Sequence, residues 1–308
     1  MLRMLKFLIG IAIVLAAVVV AGRFMFPLPD IANRPAETAR PLATDTRLGQ
    51  LATEGITAHP GLSGVSALAP GKDALASRLS LIETAQHSID AQYYIWHDDL
   101  SGIILLDALD RAAKRGVRVR LLLDDNGVPG LDGYMAALNA QPNFQIRLFN
   151  PSTVRSPKMA GYAIDFMRMN RRMHNKSMIA DGAVAIIGGR NIGDEYFAIG
   201  DAFYVDMDAL AVGQIVPQTA ATFDAYWNSA SVYEVENIIP GTGDRAGFDR
   251  RVAEIQASPE AQELMAGLEN GLARYASGQV PLEWTRVQLV ADDPVKGQGI
   301  ARKDQLMI

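Results

Sequence analysis

Apolar residues fill the chain from Phe7 to Gly22 almost without a break, and after Arg23 the run continues through Phe24, Met25 and Phe26. Counted from Leu5 it approaches the roughly 20 residues a spanning helix needs, with Lys6 and Arg23 placed to snorkel near its ends. The pattern predicts a membrane anchor over residues 1–26. The alternatives are a cleaved signal segment, since Val19 and Ala21 loosely meet the small-residue rule, and a buried core helix. Arg3 and Lys6 favour a cytoplasmic amino terminus, while Arg23, Arg34 and Arg40 nearly balance them, so the expectation leans to an extracytoplasmic domain.

Residues 27–70 are rich in Pro, Ala, Thr and Gly with no sustained apolar period and read as a linker. Beyond them the period alternates between helix and strand. Leu75, Leu79, Ile82 and Ala85 recur at helical spacing over residues 73–86, and residues 88–96 read as a strand. A helix over 103–115 ends at Gly116, and in the strand over 117–123 Arg118 and Arg120 alternate with apolar positions. A short helix over 134–139 and a strand over 145–149 complete a β-α-β-α-β order that predicts an α/β sandwich. Residues 151–173 show no period and read as a long loop bordering a site. Two short strands, 176–180 and 183–187, flank Asp181-Gly182, a dipeptide suited to a tight hairpin. A strand over 204–212 and helices over 214–229 and 259–276 follow, and residues 285–291 read as a strand opening something new.

A chain of 308 residues with 49% hydrophobic content can bury a sizeable core. The formal charge of −5 provides no general basic surface for nucleic acid, which weakly favours another substrate. Zero cysteines exclude disulfides, thiolate metal sites and a cysteine nucleophile.

The chemistry gathers at Met173-His174-Asn175-Lys176-Ser177-Met178-Ile179-Ala180-Asp181, which has the form His-x-Lys-x4-Asp. In an extended segment His174 and Lys176, two apart, project to the same side. A neutral imidazole can attack phosphorus to give a phosphohistidine while Lys176 neutralises the non-bridging oxygens, and this arrangement requires no metal or cofactor. Asp181, at the hairpin, is expected to brace the motif. Asn191 is a candidate neutral donor to phosphate, and Glu195 a candidate for orienting an imidazole. His59, His87 and His97 head no such motif and are expected to be structural. For Asp124 and Asp125 a turn or cap role outweighs a metal pair. Met159, Met167, Met169, Met173 and Met178 could line an acyl groove or fill core gaps. Arginines from Arg168 to Arg172 form either a solvated loop or a headgroup attractor.

The flanks carry a resemblance. Ile186-Ile187-Gly188-Gly189-Arg190-Asn191-Ile192-Gly193-Asp194-Glu195-Tyr196-Phe197 resembles the glycine-rich completion of the phospholipase D motif. With residues 89–96 and 117–125 it makes roughly residues 70–295 similar to the first half of a bacterial cardiolipin synthase. The resemblance implies a phospholipase D-like α-β-α sandwich, catalytic residues His174, Lys176 and Asp181, and phosphate contacts from Lys176 and Asn191. It implies phosphatidyl transfer or hydrolysis on glycerophospholipids, at a bacterial inner membrane with a periplasmic catalytic domain, or after secretion if the leader is cleaved. Whether water or a lipid alcohol is the acceptor depends on solvent exclusion. Members of this type carry two motifs and this chain has one, so a homodimer or a separate second-half chain is expected to complete the site. The implied division is anchor 1–26, linker 27–70, catalytic domain 71–284, and the start of a second half at 285–308. The alternatives are a nucleic-acid phosphodiesterase, disfavoured by charge and leader, and an inactive half or assembly subunit.

Overall fold

The computed structural model describes residues 2–201 and 203–306; Met1 and residues 307–308, at the outer ends of the predicted first and last segments, lie outside the described residues. Helix α1 (Leu2–Met25) is long and apolar enough to cross a membrane, and none of its apolar window is buried in the protein. Its predicted character as an exposed apolar helix holds, and a buried core helix is ruled out.

The predicted linker is partly folded. Within it α2 (Arg47–Ala58) is capped by Thr46, whose Oγ accepts from Gly49 N–H at 3.0 Å, and buries Leu48 and Ala52. Strand β1 (Ser63–Leu68) enters the main sheet. A strand of Ser, Gly, Val, Ala and Leu has weak intrinsic preference, and its place is fixed by antiparallel pairing from Ser63↔Gly213 to Leu68↔Asp208, which no local pattern announces.

The next six elements follow the expected order: α3 (Gly71–Thr84), β2 (Ser88–Tyr93), α4 (Leu100–Lys114), β3 (Arg118–Asp124), α5 (Asp132–Asn139) and β4 (Phe144–Phe149). Strands β2, β3 and β4 are mutually parallel, as helical crossovers require. The predicted loop over 151–173 contains a further helix, α6 (Ala160–Met169), whose signal is blurred because Asp165 leaves helical geometry at φ −141°, ψ 48°. Then come the hairpin β5 (Ser177–Ala180) and β6 (Val184–Gly188), β7 (Asp208–Gly213), α7 (Ile215–Trp227), β8 (Val232–Glu234), α8 (Val235–Ile238), α9 (Arg245–Ala257), α10 (Pro259–Ser277) and β9 (Glu283–Thr285). The strand expected at 204–212 starts only at Asp208, and residues 286–291, expected to be strand, are irregular, the strand β9 lying just before them and pairing with β1.

These strands form one mixed sheet in the order β8-β4-β3-β2-β5-β6-β7-β1-β9. Alternation divides it between two cores. Val119, Leu121 and Leu123 of β3 face the larger cluster with α3, α4, α5, α9 and α10, while Leu122 faces the smaller one with Phe223 and Trp227 of α7. Arg120 shares that second face and is fully buried. Its guanidinium pairs with Asp90 at 2.6 Å and Asp224 at 2.9 Å and lies over the rings of Phe223 and Trp227, fastening α7 to the sheet. The result is the expected α-β-α sandwich. Val287 and Leu289 pack against the smaller core, and Asn150 Nδ2 donates to Gly297 O at 3.1 Å, so residues after β9 fold back onto this body.

Candidate active site

The hairpin β5–β6 sets the motif. Asp181 and Gly182 take φ of +53° and +62°, and Ala183 N–H donates to Ala180 O, closing the predicted turn. At the other end of β5 the lead-in Met173–Lys176 is pinned by Asp124, at the tip of β3. Its buried carboxylate accepts from Met173 N–H at 2.8 Å and from Arg172 Nε at 2.9 Å. Full burial pushes the Asp124 carboxyl up to about 6, against the pull of Arg172. The backbone is thus held one residue ahead of His174.

His174 is exposed, and its ring rests on Tyr94 with centroids 4.3 Å apart. Lys176 Nζ lies 5.6 Å from the same Tyr94 ring and donates to His174 O at 2.6 Å. Tyr94 is therefore a shared platform for the two. They line one open cleft with Gln92, Gly188, Thr219 and Thr222, and residues 289–292 of the returning tail close one side. Gln92 is buried, and its Oε1 has no hydrogen-bond partner among the described residues.

The electrostatics suit a nucleophile. Surrounding protein strips part of the His174 hydration, and the Lys176 and Lys296 ammonium groups add to this, holding the imidazole below its ordinary 6.5 although Asp292 pulls the other way. Burial likewise lowers Lys176, with Asp206 opposing. A neutral ring beside a cation is what attack on an anionic phosphodiester needs.

The other predicted residues lie elsewhere. Asp181 is seven residues from His174 across β5, on the order of 20 Å in extended chain. Its carboxylate accepts from the N–H groups of Gln86 at 3.0 Å, His87 at 2.7 Å and Ser88 at 3.0 Å, at the start of β2. The geometry is that of a brace. Asp181→Ala strands these three donors and should lower unfolding free energy by about 3 kcal/mol. Urea denaturation in detergent measures it, and a change under about 0.5 kcal/mol would reject the brace.

Two further candidates, Asn191 and Glu195, make contacts of their own. Asn191 is buried, its Oδ1 accepting from Ile95 N–H at 3.0 Å and its Nδ2 donating to Tyr196 Oη at 2.9 Å, so the amide ties the loop down. Glu195 reaches the imidazole of His97, with Oε1 3.3 Å from Nδ1. His59 stacks on Trp284 and His87 approaches Asp45 at 3.4 Å. His97, Asp99 and Glu195 bring three ligand-type atoms within 4.8 Å, but Asp99 already accepts from Gly102 N–H and Asp194 N–H. Asp125 is likewise paired, with Arg155 at 2.9 Å and Lys158 at 2.8 Å. Met169, Met173 and Met178 are core, whereas Met159 and Met167 are exposed. Arg168 and Arg172 are held by Asp165 and Asp124 and are not a solvated cluster.

Sequence reasoning missed Tyr94 and Gln92, which the pairing of β2 with β5 brings under the motif, and the support behind the glycine-rich run. A Cβ on Gly188 would sit 2.1 Å from Asp208 Oδ1, and one on Gly189 2.1 Å from Asp206 Oδ1. Asp208 in turn is buried between Arg78, at 2.9 Å, and Arg190, at 3.5 Å.

Comparison with known proteins adds identity to this geometry. Residues 79–227 match the family described as "Cardiolipin synthase, PLD-like domain". The chain is 42% identical over 253 residues to cardiolipin synthase C of Escherichia coli K12, covering 81% of this chain and 54% of that protein. It is 32% identical over 180 residues to the major cardiolipin synthase of Bacillus subtilis 168, covering 58% and 36%. It spans about half the length, or less, of these curated relatives. A solved phosphatidylserine synthase of Haemophilus influenzae Rd KW20 aligns over 78% of this chain and 52% of that one, with TM-score 0.46 and 13% identity.

Proposed function

The chain belongs to the phospholipase D superfamily through a cardiolipin synthase-like domain, and from that premise we propose that it transfers or hydrolyses phosphatidyl groups of glycerophospholipids through a phosphohistidine on His174. The observation that carries the reading is the shared cleft: a neutral, accessible imidazole and an ammonium group on one tyrosine platform. In the first step an imidazole nitrogen forms a bond to phosphorus and the bond to the departing glycerol oxygen breaks. In the second, water or a lipid alcohol attacks the same phosphorus, loses its proton and releases His174. Lys176 supports both steps by offsetting charge on the non-bridging oxygens. Asp124 and Asp181 hold the two ends of the motif strand and touch no reacting atom.

The reading includes a bacterial inner-membrane location with α1 as anchor, which the exposed apolar length of that helix supports, and a periplasmic catalytic domain. It also includes a partner, either a second copy or a separate second-half chain, supplying a general acid. Residues 71–284 form its catalytic domain, with β1 paired to its sheet and α2 and the returning tail packed on the same body.

The test uses phosphatidylglycerol vesicles and a DNA oligonucleotide in parallel, on the wild type and Lys176→Met. Lipid is expected to turn over and DNA to stay intact. Lys176→Met should lower lipid turnover about 10²–10³-fold, the scale of one preorganised contact to a developing oxyanion. Because the ammonium group depresses His174, its loss should also move the imidazole titration upward, read by NMR. Nucleotide release without lipid turnover would overturn the substrate class, and activity within about twofold of wild type would overturn the role of Lys176.

A further inference from the structure

We infer that the outward face of α6 is a bilayer contact, a shallow interfacial surface that seats the catalytic motif at phospholipid headgroup depth. The inference rests on α1 being a membrane anchor and extends that reading to the folded body.

The face itself is unusual for a helix packed on a domain. Met159, just before α6, and Ala163, Phe166 and Met167, which lie on either side of the kink at Asp165, are all exposed and form an outward apolar stripe. Met159 is 72% exposed, Phe166 55% and Met167 65%. Gly161 and Met169 point the other way and are buried. An amphipathic helix whose apolar stripe faces outward has its sides reversed for water and placed correctly for a membrane surface.

The contact with α1 says what covers the stripe. Gly22 lets Ile164 approach so closely that a Cβ there would lie 2.9 Å from Ile164 Cγ1. Arg23 Nη2 pairs with Asp165 Oδ1 at 3.0 Å, and Arg23 Nε donates to Ile164 O at 3.2 Å. Thr153 Oγ donates to Phe26 O at 2.8 Å. All of these involve the last turn of α1 and the residue after it, where a spanning helix leaves the hydrocarbon. An ion pair such as Arg23–Asp165 belongs at the headgroup level. Phe24 and Met25 are exposed beside it, at 83% and 73%, so the apolar surface of α1 continues onto α6. A helix fixed at that level by two polar contacts from Arg23, with a third from Thr153 in the loop before it, has its stripe within reach of the upper acyl chains, about 5–10 Å below the headgroups.

The consequence is for substrate access. From Met169 to His174 is five residues, at most ~17 Å of chain even if fully extended. With α6 on the surface, His174 is tethered within that short reach of the phosphodiesters it attacks, and the lipid need not leave the bilayer completely.

The chain contains no cysteine, so one introduced thiol gives one label. The full chain is placed in vesicles of phosphatidylcholine and phosphatidylglycerol, with an environment-sensitive fluorophore on Phe166→Cys, on Met167→Cys, on Val14→Cys within α1, or on Glu254→Cys of α9 as an exposed control. Acyl chains brominated near the headgroup should quench the labels at 166 and 167 at least about twofold more than that at 254, and chains brominated near the bilayer centre should quench the label at 14 best. Quenching at 14 but not at 166 or 167 would overturn the inference and leave the anchor standing. No quenching at any position would remove both. A blue shift at 166 that grows with protein-to-lipid ratio and is insensitive to bromine would assign the face to a second copy, which also overturns it.

Discussion

Replacing His174 with Ala should abolish phosphodiester turnover, by about 10⁴-fold or more, while leaving the fold intact. The size follows from what the ring does. A lysine, a tyrosine platform and an ordered cleft can bind and polarise a phosphodiester, but without a nitrogen at that position no covalent intermediate forms and the displacement must proceed in one unassisted step. The fold is spared because His174 is exposed and its recorded contacts are a ring resting on Tyr94 and a backbone oxygen serving Lys176. Its replacement creates no buried cavity, so stability should change by less than about 0.5 kcal/mol. Acid quenching during turnover of a phosphorus-labelled phospholipid should trap label on His174 in wild type and none in the variant. Unchanged turnover, or equal trapping in the variant, would refute the mechanism. The comparison with Asp181→Ala is informative: that substitution should weaken the protein first and the chemistry only through it.

The parts of this architecture that local chemistry specifies were legible in the sequence, and the parts fixed by distant pairing were not. Asp181-Gly182 announced its hairpin because few residues tolerate two successive positive φ values. The pair His174 and Lys176 was legible because a two-residue interval in extended chain has one geometric meaning. Strand β1 was not, since Ser, Gly and Ala acquire their role from β7, more than a hundred residues later. Arg120 shows the opposite error. It marks an apparently polar side of β3, yet that side is buried under α7 because Asp90 and Asp224 neutralise the guanidinium and two aromatic rings cover it. Asn191 was ambiguous for a related reason. An amide in the glycine-rich run reads equally well as a phosphate donor or a loop tie, and its bonds to the backbone of Ile95 and the hydroxyl of Tyr196 depend on tertiary contacts that no local pattern shows.

As a monomer the chain should show no more than trace activity, with full turnover appearing only in an assembly that supplies a second acid. The argument begins with proton balance. When His174 attacks, the departing glycerol oxygen needs a proton near neutral pH, and Lys176 would lose the charge that offsets the phosphate oxygens if it supplied one. The remaining histidines of the chain are placed for other contacts: His59 on Trp284, His87 near Asp45, and His97 against Glu195. Surface chemistry points the same way. Phe203, Tyr204, Val205 and Met207 are exposed in one short segment, Val205 at 95%, and the segment contains Asp206, whose charge is felt by Lys176. An apolar stretch of that kind beside Lys176 is suited to a partner that closes over the proposed site. Specific activity measured against protein concentration in detergent, with mass followed by light scattering, should rise with association if identical chains pair. If the acid comes from another polypeptide, activity should stay at trace level at every concentration and rise at least about 10²-fold when a separately expressed second-half domain is added, the usual range for one general acid. Full turnover by a species that scatters as a monomer would show that the single chain already holds its proton donor, and the proposed incompleteness of the site would be wrong.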